Sequence, residues 1–134
     1  MKKFVVAALL ISSICMLACK KDPVNQNVVT ATKLTGKWKY EKYGDERPIG
    51  AAESFTNYTN YYFDFKSDHN LAITDGNNAY SDTWHVLNDG TMLHFDGDME
   101  IYYIISKLDD HNLVYYNIFQ DNGGYGKRNH YFSK

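Results

Sequence analysis

Trp84-His85-Val86-Leu87-Asn88-Asp89-Gly90-Thr91-Met92-Leu93-His94-Phe95 is the stretch that decides the fold. Two alternating apolar runs flank Asp89-Gly90, a pair that favours a type I′ turn because both of its positions need positive φ. The turn sets the register, placing Trp84 opposite Phe95 and Val86 opposite Leu93 on one face. On the other face His85 meets His94 and Leu87 meets Met92. The Trp84 face is apolar throughout, so turn chemistry and hydrophobic pattern predict one and the same hairpin.

Working outward, two similar corners appear at Ser67-Asp68-His69-Asn70-Leu71 and Asp109-Asp110-His111-Asn112-Leu113. Each has an asparagine suited to the left-handed conformation just before the next strand. From Gly36 onward, turn signals recur at nearly even spacing between apolar runs. The expected strands run approximately over Lys37 to Tyr43, Tyr58 to Phe65, Leu71 to Thr74, Tyr80 to Leu87, Met92 to Phe95, Glu100 to Leu108, Leu113 to Phe119 and Lys127 to Ser133. This predicts an all-β domain, an eight-stranded antiparallel up-and-down β-barrel or meander spanning residues 33–134. Trp38, Tyr40, Tyr61, Phe63, Phe65, Trp84 and Phe95 form the expected interior. An eight-stranded barrel is just wide enough to be filled by side chains or to hold one small ligand. The ligand-facing candidates are therefore Tyr40, Tyr61, Phe63, Trp84 and Phe95, with tyrosine hydroxyls set in an apolar wall.

Composition narrows the function. The chain has 134 residues, 44% hydrophobic and 22% charged, enough for one domain core. A formal net charge of -2 and the lack of basic clusters exclude a nucleic-acid backbone as partner. Twelve tyrosines and an aromatic content of 16% suit strands.

Before the domain, Lys2 and Lys3 precede an apolar run from Phe4 to Leu17, shorter than the roughly 20 residues that a membrane-spanning helix needs. The run ends in Met16-Leu17-Ala18-Cys19, followed by Lys20-Lys21-Asp22. A small residue before a cysteine at this boundary resembles a bacterial lipoprotein signal, which implies a signal peptide over residues 1–18 and lipidation at Cys19. The expected location is then the cell envelope, at the outer membrane, with the lipid supplying the attachment. Residues 19–32, polar and containing Pro23, read as the lipidated cysteine and a flexible tether. Cys15 and Cys19 are the only cysteines, so the barrel carries no thiol for a disulfide, a metal or a nucleophile.

Leu34-Thr35-Gly36-Lys37-Trp38 contains Gly-x-Trp at the head of the first strand. Together with the meander behind a lipoprotein signal, it resembles the bacterial lipocalin-like lipoproteins. That resemblance implies that Trp38 plugs one end of the barrel after Gly36, with Arg128 as the basic residue packed on its ring. It also implies a small apolar or amphipathic ligand.

The longest connection, Gly44 to Asn57, is the candidate lid over the mouth, with Arg47, Ile49 and Phe55 as entrance residues. The alternative is a filled barrel acting as a structural or protein-binding lipoprotein of the envelope, through outer aromatics such as Tyr62, Tyr102 or Tyr103, and Tyr116. His85, His94 and Asp96 share the outer face, where a solvated histidine pair is expected in preference to a metal site. Asp96, Asp98 and Glu100 read as turn carboxylates without the spacing of a calcium loop. No nucleophile elbow, HExxH or phosphate-binding glycine loop occurs, so neither a catalytic residue nor a cofactor is expected.

Overall fold

The computed structural model describes residues 23–97 and 101–134. The expected signal peptide and Cys19 lie outside these residues, as do Asp98 and Glu100. A helix, α1 (Gln26–Leu34), leads into nine strands: β1 (Gly36–Glu46), β2 (Ser54–Asn57), β3 (Tyr61–Phe65), β4 (Asn70–Asp75), β5 (Asn78–Leu87), β6 (Met92–Phe95), β7 (Ile101–Leu108), β8 (Asn112–Asp121) and β9 (Gly124–Ser133). All pairings are antiparallel: β1 pairs with both β2 and β3, β3 to β9 pair in sequence order, and β1 also pairs with β9, which closes the sheet. Closure leaves no edge along most of the wall to template aggregation.

The ninth strand does not add a stave. Lys42 to Asp45 of β1 pair with β2, while Gly36 to Lys39 pair with β3, and Tyr58 N–H reaches the Glu41 carbonyl between them. β2 and β3 are thus two parts of one stave, broken at Tyr58 to Asn60, where Asn60 takes φ 57°. The barrel has the eight staves expected from the sequence. Half of the candidate lid is wall, because the end of β1 and all of β2 lie within it.

The decisive hairpin forms as read. Trp84 pairs with Phe95, His85 with His94, Val86 with Leu93 and Leu87 with Met92. Asp89 and Gly90 have φ 53° and 82°, and Thr91 N–H closes the turn on the Asn88 carbonyl at 3.2 Å, as a type I′ turn requires. At the two similar corners the detail differs. Among the described residues, His69 at φ 67° carries the positive φ of the first corner, and neither Asn70 nor Asn112 does. Each asparagine instead opens its strand while an aspartate caps the turn: Asp68 Oδ1 accepts from Asn70 N–H, and Asp109 Oδ1 from His111 and Asn112 N–H.

The expected tether gives way to structure before residue 32. α1 begins after Asn25, whose side chain accepts from Asn27 N–H, and runs to the buried Leu34. Its sequence, QNVVTATKL, is rich in β-branched residues of low helix propensity, so the helix depends on docking. Gly90 N–H donates to Asn27 Oδ1 at 2.7 Å, and Thr30 Oγ1 donates to the Gly90 carbonyl at 3.1 Å. The helix is therefore latched to the β5–β6 turn.

Candidate functional site

The two ends of the barrel interior differ in chemistry. At the helix end, Trp38, Phe65, Leu71, Trp84, Leu93 and Leu113 are all but inaccessible and pack into one core with Leu34. Trp38 donates Nε1–H to the Leu34 carbonyl at 2.7 Å, and Trp84 donates to the Asn70 carbonyl at 3.2 Å. Phe65 and Trp84 meet edge to face at 5.3 Å between ring centres. Trp84, Phe63 and Phe95 are thus core, and of the five ligand-facing candidates only Tyr40 and Tyr61 border the far end.

Trp38 is fully buried at the helix end of the barrel, but Arg128 does not cover its ring. Lys134 Nζ stands 4.3 Å from the Trp38 ring centre instead. Arg128 is placed toward the opposite end by its pairing with Asp45, well along β1 from Trp38. Gly36 has φ 119°, a conformation that a side chain resists, and leads the chain from the helix into the barrel wall.

A β-bulge builds the far end. The β1–β9 register shifts between Tyr40 and Lys42, which reverses the alternation of β1. Tyr43 and Asp45, not Lys42 and Gly44, therefore face Arg128 and His130 from the neighbouring strand. Tyr58 stacks on Tyr40 at 4.8 Å, and Tyr61 meets both rings edge to face. Tyr103 lies 4.6 Å from Tyr115 and 5.3 Å from His130. Tyr43, Tyr58, Tyr61, Tyr103, Arg128 and His130 are half-buried, so solvent reaches this end but not the core.

Electrostatics follow from that partial burial. Arg128 donates Nε–H and Nη2–H to the two oxygens of Asp45 at 2.7 and 2.8 Å, a bidentate pair that holds the carboxyl below its usual range. Its guanidinium lies 4.4 Å from the Tyr43 ring centre and 5.3 Å from that of Phe119. His130 is pushed down to about 4, by burial first and by the Arg128 charge second, so it is neutral near pH 7. Burial raises the phenols of Tyr40, Tyr58, Tyr61, Tyr103 and Tyr115, which keeps every hydroxyl protonated.

The rest of the expected lid lies against the outer wall. Glu53 Oε1 accepts from Asn129 Nδ2 at 2.6 Å and from Tyr131 OH at 2.7 Å, and Lys42 Nζ sits 3.9 Å over the Phe55 ring. Ile49 is exposed. Of the three entrance candidates only Arg47 turns toward the mouth, where it pairs with Asp121 and covers Phe119 at 4.6 Å.

On the outer face, Asp96 bridges His85 Nε2 and His94 Nδ1, each at 2.8 Å. Among the described residues no three histidine, cysteine or acidic side chains converge as a metal site. Tyr103, named as an outer alternative to Tyr102, faces inward. Tyr62 and Tyr116 are each covered by a lysine, Lys37 and Lys127.

Sequence reasoning missed Tyr43, Tyr58, Asp45, Tyr103 and His130 as site residues. The period-two pattern Arg128, His130, Phe132 was available as a signal for β9, but polar side chains on one face read as solvent-facing.

No protein-family model and no curated protein sequence matches the chain. Among solved structures, the chain is similar to the bovine lipocalin allergen Bos d 2, at 14% identity over 78% of this chain and 74% of that one, with a TM-score of 0.48. It is also similar to bovine odorant-binding protein in complex with a selenium-containing odorant, at 21% identity, 78% and 71% coverage and a TM-score of 0.47. The same bovine protein in complex with undecanal gives 18%, 85% and 77%, and 0.45.

Proposed function

We propose that this chain is a non-catalytic, lipocalin-like lipoprotein that binds a small amphipathic molecule in the far end of its barrel and is anchored to the cell envelope, at the outer membrane, through lipid on Cys19. The observation that carries the binding reading is the half-buried set of inward tyrosines around His130, set above a core already packed by Trp38 and Trp84. Tyrosine presents an apolar ring and a hydroxyl at the same place, which suits a molecule with a ring or chain and a polar group. The anchoring reading rests on the Leu17-Ala18-Cys19 boundary after an apolar run.

Native mass spectrometry with organic extraction tests the first part on the full-length chain, beside a Tyr61→Ala variant. A discrete copurified mass that falls with the substitution supports binding; an identical mass in both samples counts against it. Palmitate labelling that disappears in Cys19→Ala supports the anchor, and unchanged labelling overturns it. A second reading, a protein-binding lipoprotein, is favoured by the exposed Tyr102, Ile104 and Ile118 on the outer face of β7 and β8. A bare protein mass, unaltered in melting temperature by lipids and small apolar compounds, would favour it.

A further inference from the structure

Two buried polar atoms of the interior have no hydrogen-bond partner among the described residues: His130 Nε2 and Asn117 Oδ1. Both belong to the inward face. Asn117 follows Leu113 and Tyr115 at alternate positions of β8, and His130 lies between Arg128 and Phe132 on β9. Tyr115 pairs with His130 and Asn117 with Arg128, so the two side chains are diagonal neighbours, a spacing of about 7–8 Å in an antiparallel sheet. Native structures rarely leave buried polar atoms unpaired, and two on one inward patch call for a shared partner.

Their donor and acceptor roles can be assigned. Tyr40 OH is 2.7 Å from His130 Nδ1 and has no other partner among the described residues, so the phenol donates and Nδ1 accepts. The proton of the neutral imidazole is then on Nε2, which presents a donor to the interior. Asn117 Oδ1 presents an acceptor. The surrounding charges disfavour an anion: the Arg128 guanidinium is taken up by Asp45, and Asp75 faces Tyr61 across the same end. Lys127, next along β9, points outward to Glu46 at 3.1 Å.

We infer that the far end of the barrel recognises an uncharged ring compound bearing a carboxamide, whose carbonyl accepts from His130 Nε2–H and whose N–H donates to Asn117 Oδ1. This deepens the binding reading above and rests on it. The aromatic wall of Tyr58, Tyr61 and Tyr103 would receive the ring, and the two unpaired atoms would receive the amide. A fatty acid or other carboxylate fits poorly, since it brings two acceptors and a charge to a site with one donor.

Benzamide, benzoate and toluene share a ring and differ in the head group, so they separate the possibilities. Titrations of the full-length chain, followed by NMR shifts of the tyrosine rings, give an affinity for each. Benzamide is expected to bind at least about fivefold more tightly than either of the others, the value of one net hydrogen bond. His130→Phe and Asn117→Leu should each remove that preference while toluene binding persists. Equal affinity for benzamide and toluene, or tighter binding of benzoate, overturns the head-group assignment and leaves the binding reading standing. If none of the three probes binds, the pocket reading falls with it. Should His130→Phe not fold by circular dichroism, Asn117→Leu decides, and retained benzamide preference in it overturns the inference.

Discussion

Lys134 covers Trp38, the two lying 4.3 Å apart from ammonium nitrogen to ring centre, and the same ammonium reaches the carbonyls of Lys33 and Thr35 at 3.3 and 3.2 Å. Lys134 thus ties the helix exit to the first strand over the buried indole. Trp38 is fully buried, and its indole N–H satisfies the Leu34 carbonyl at the end of α1. Trp38→Phe removes that donor and leaves a gap, and should cost about 2–4 kcal/mol in urea unfolding. Lys134→Ala should cost no more than about 1 kcal/mol, the usual worth of an exposed cation–π contact. A double-mutant cycle is expected to couple Trp38 with Lys134 and to find Trp38 and Arg128 additive. Coupling to Arg128 instead would contradict this arrangement.

Gly90 tests whether α1 is an integral part of the barrel. A Cβ at Gly90 would collide with Thr30 Oγ1 and lie 2.8 Å from the Gln26 carbonyl oxygen, and the residue holds φ 82°. Gly90→Ala therefore strains the turn and pushes the helix backbone away. The expected loss is about 1–3 kcal/mol, with faster amide hydrogen exchange across α1 than across β1. Uniform acceleration, or none in α1, would show that the latch does not hold the helix.

Legibility in the sequence tracked how local the determining physics is. The Trp84–Phe95 register was readable because a two-residue turn and the alternation beside it decide it within twelve residues. The core positions Trp38, Tyr40, Phe63 and Phe65 followed from the same period of two. The helix was not readable, because Val28, Val29 and Thr30 have weak helical preference and are ordered by Gly90, sixty positions away from Thr30. Tyr43 and Asp45 were hidden by the bulge after Tyr40, which no residue type announces and which turns every later β1 side chain over. Only the resemblance places Arg128 on Trp38, whereas strand pairing brings Arg128 to Asp45 and Lys134 covers the indole.

The Asp45–Arg128 pair should be the main polar brace of the far end. Its two hydrogen bonds demand a planar fork, which lysine lacks. Arg128→Lys is expected to lose about 1 kcal/mol of stability, and Asp45→Asn a similar amount, with the double variant losing less than the two combined. Thermal melts of the four proteins give the comparison. Strict additivity would mean that the pair contributes nothing as a pair.

His130 makes stability depend on pH in a definite direction. Its folded value near 4 lies below the ordinary 6.5, so between those limits the unfolded chain binds the extra proton. Its contribution is complete above about pH 6.5 and is lost as the pH falls toward 4. The groups facing it are Arg128, Asp45, Tyr40, Tyr43, Tyr103 and Tyr115. Burial keeps the phenols of Tyr40, Tyr103 and Tyr115 protonated throughout, and Arg128 holds the Asp45 carboxyl below its usual range. Urea melts at successive pH values from 7 to 5 should therefore show unfolding free energy falling with a slope of up to about 1.4 kcal/mol per pH unit. His130→Gln removes the titrating group while keeping an N–H donor, and its profile over the same range should be flatter. Equal slopes in the two proteins would mean that the buried imidazole does not govern acid sensitivity, and that His130 titrates as a solvated residue.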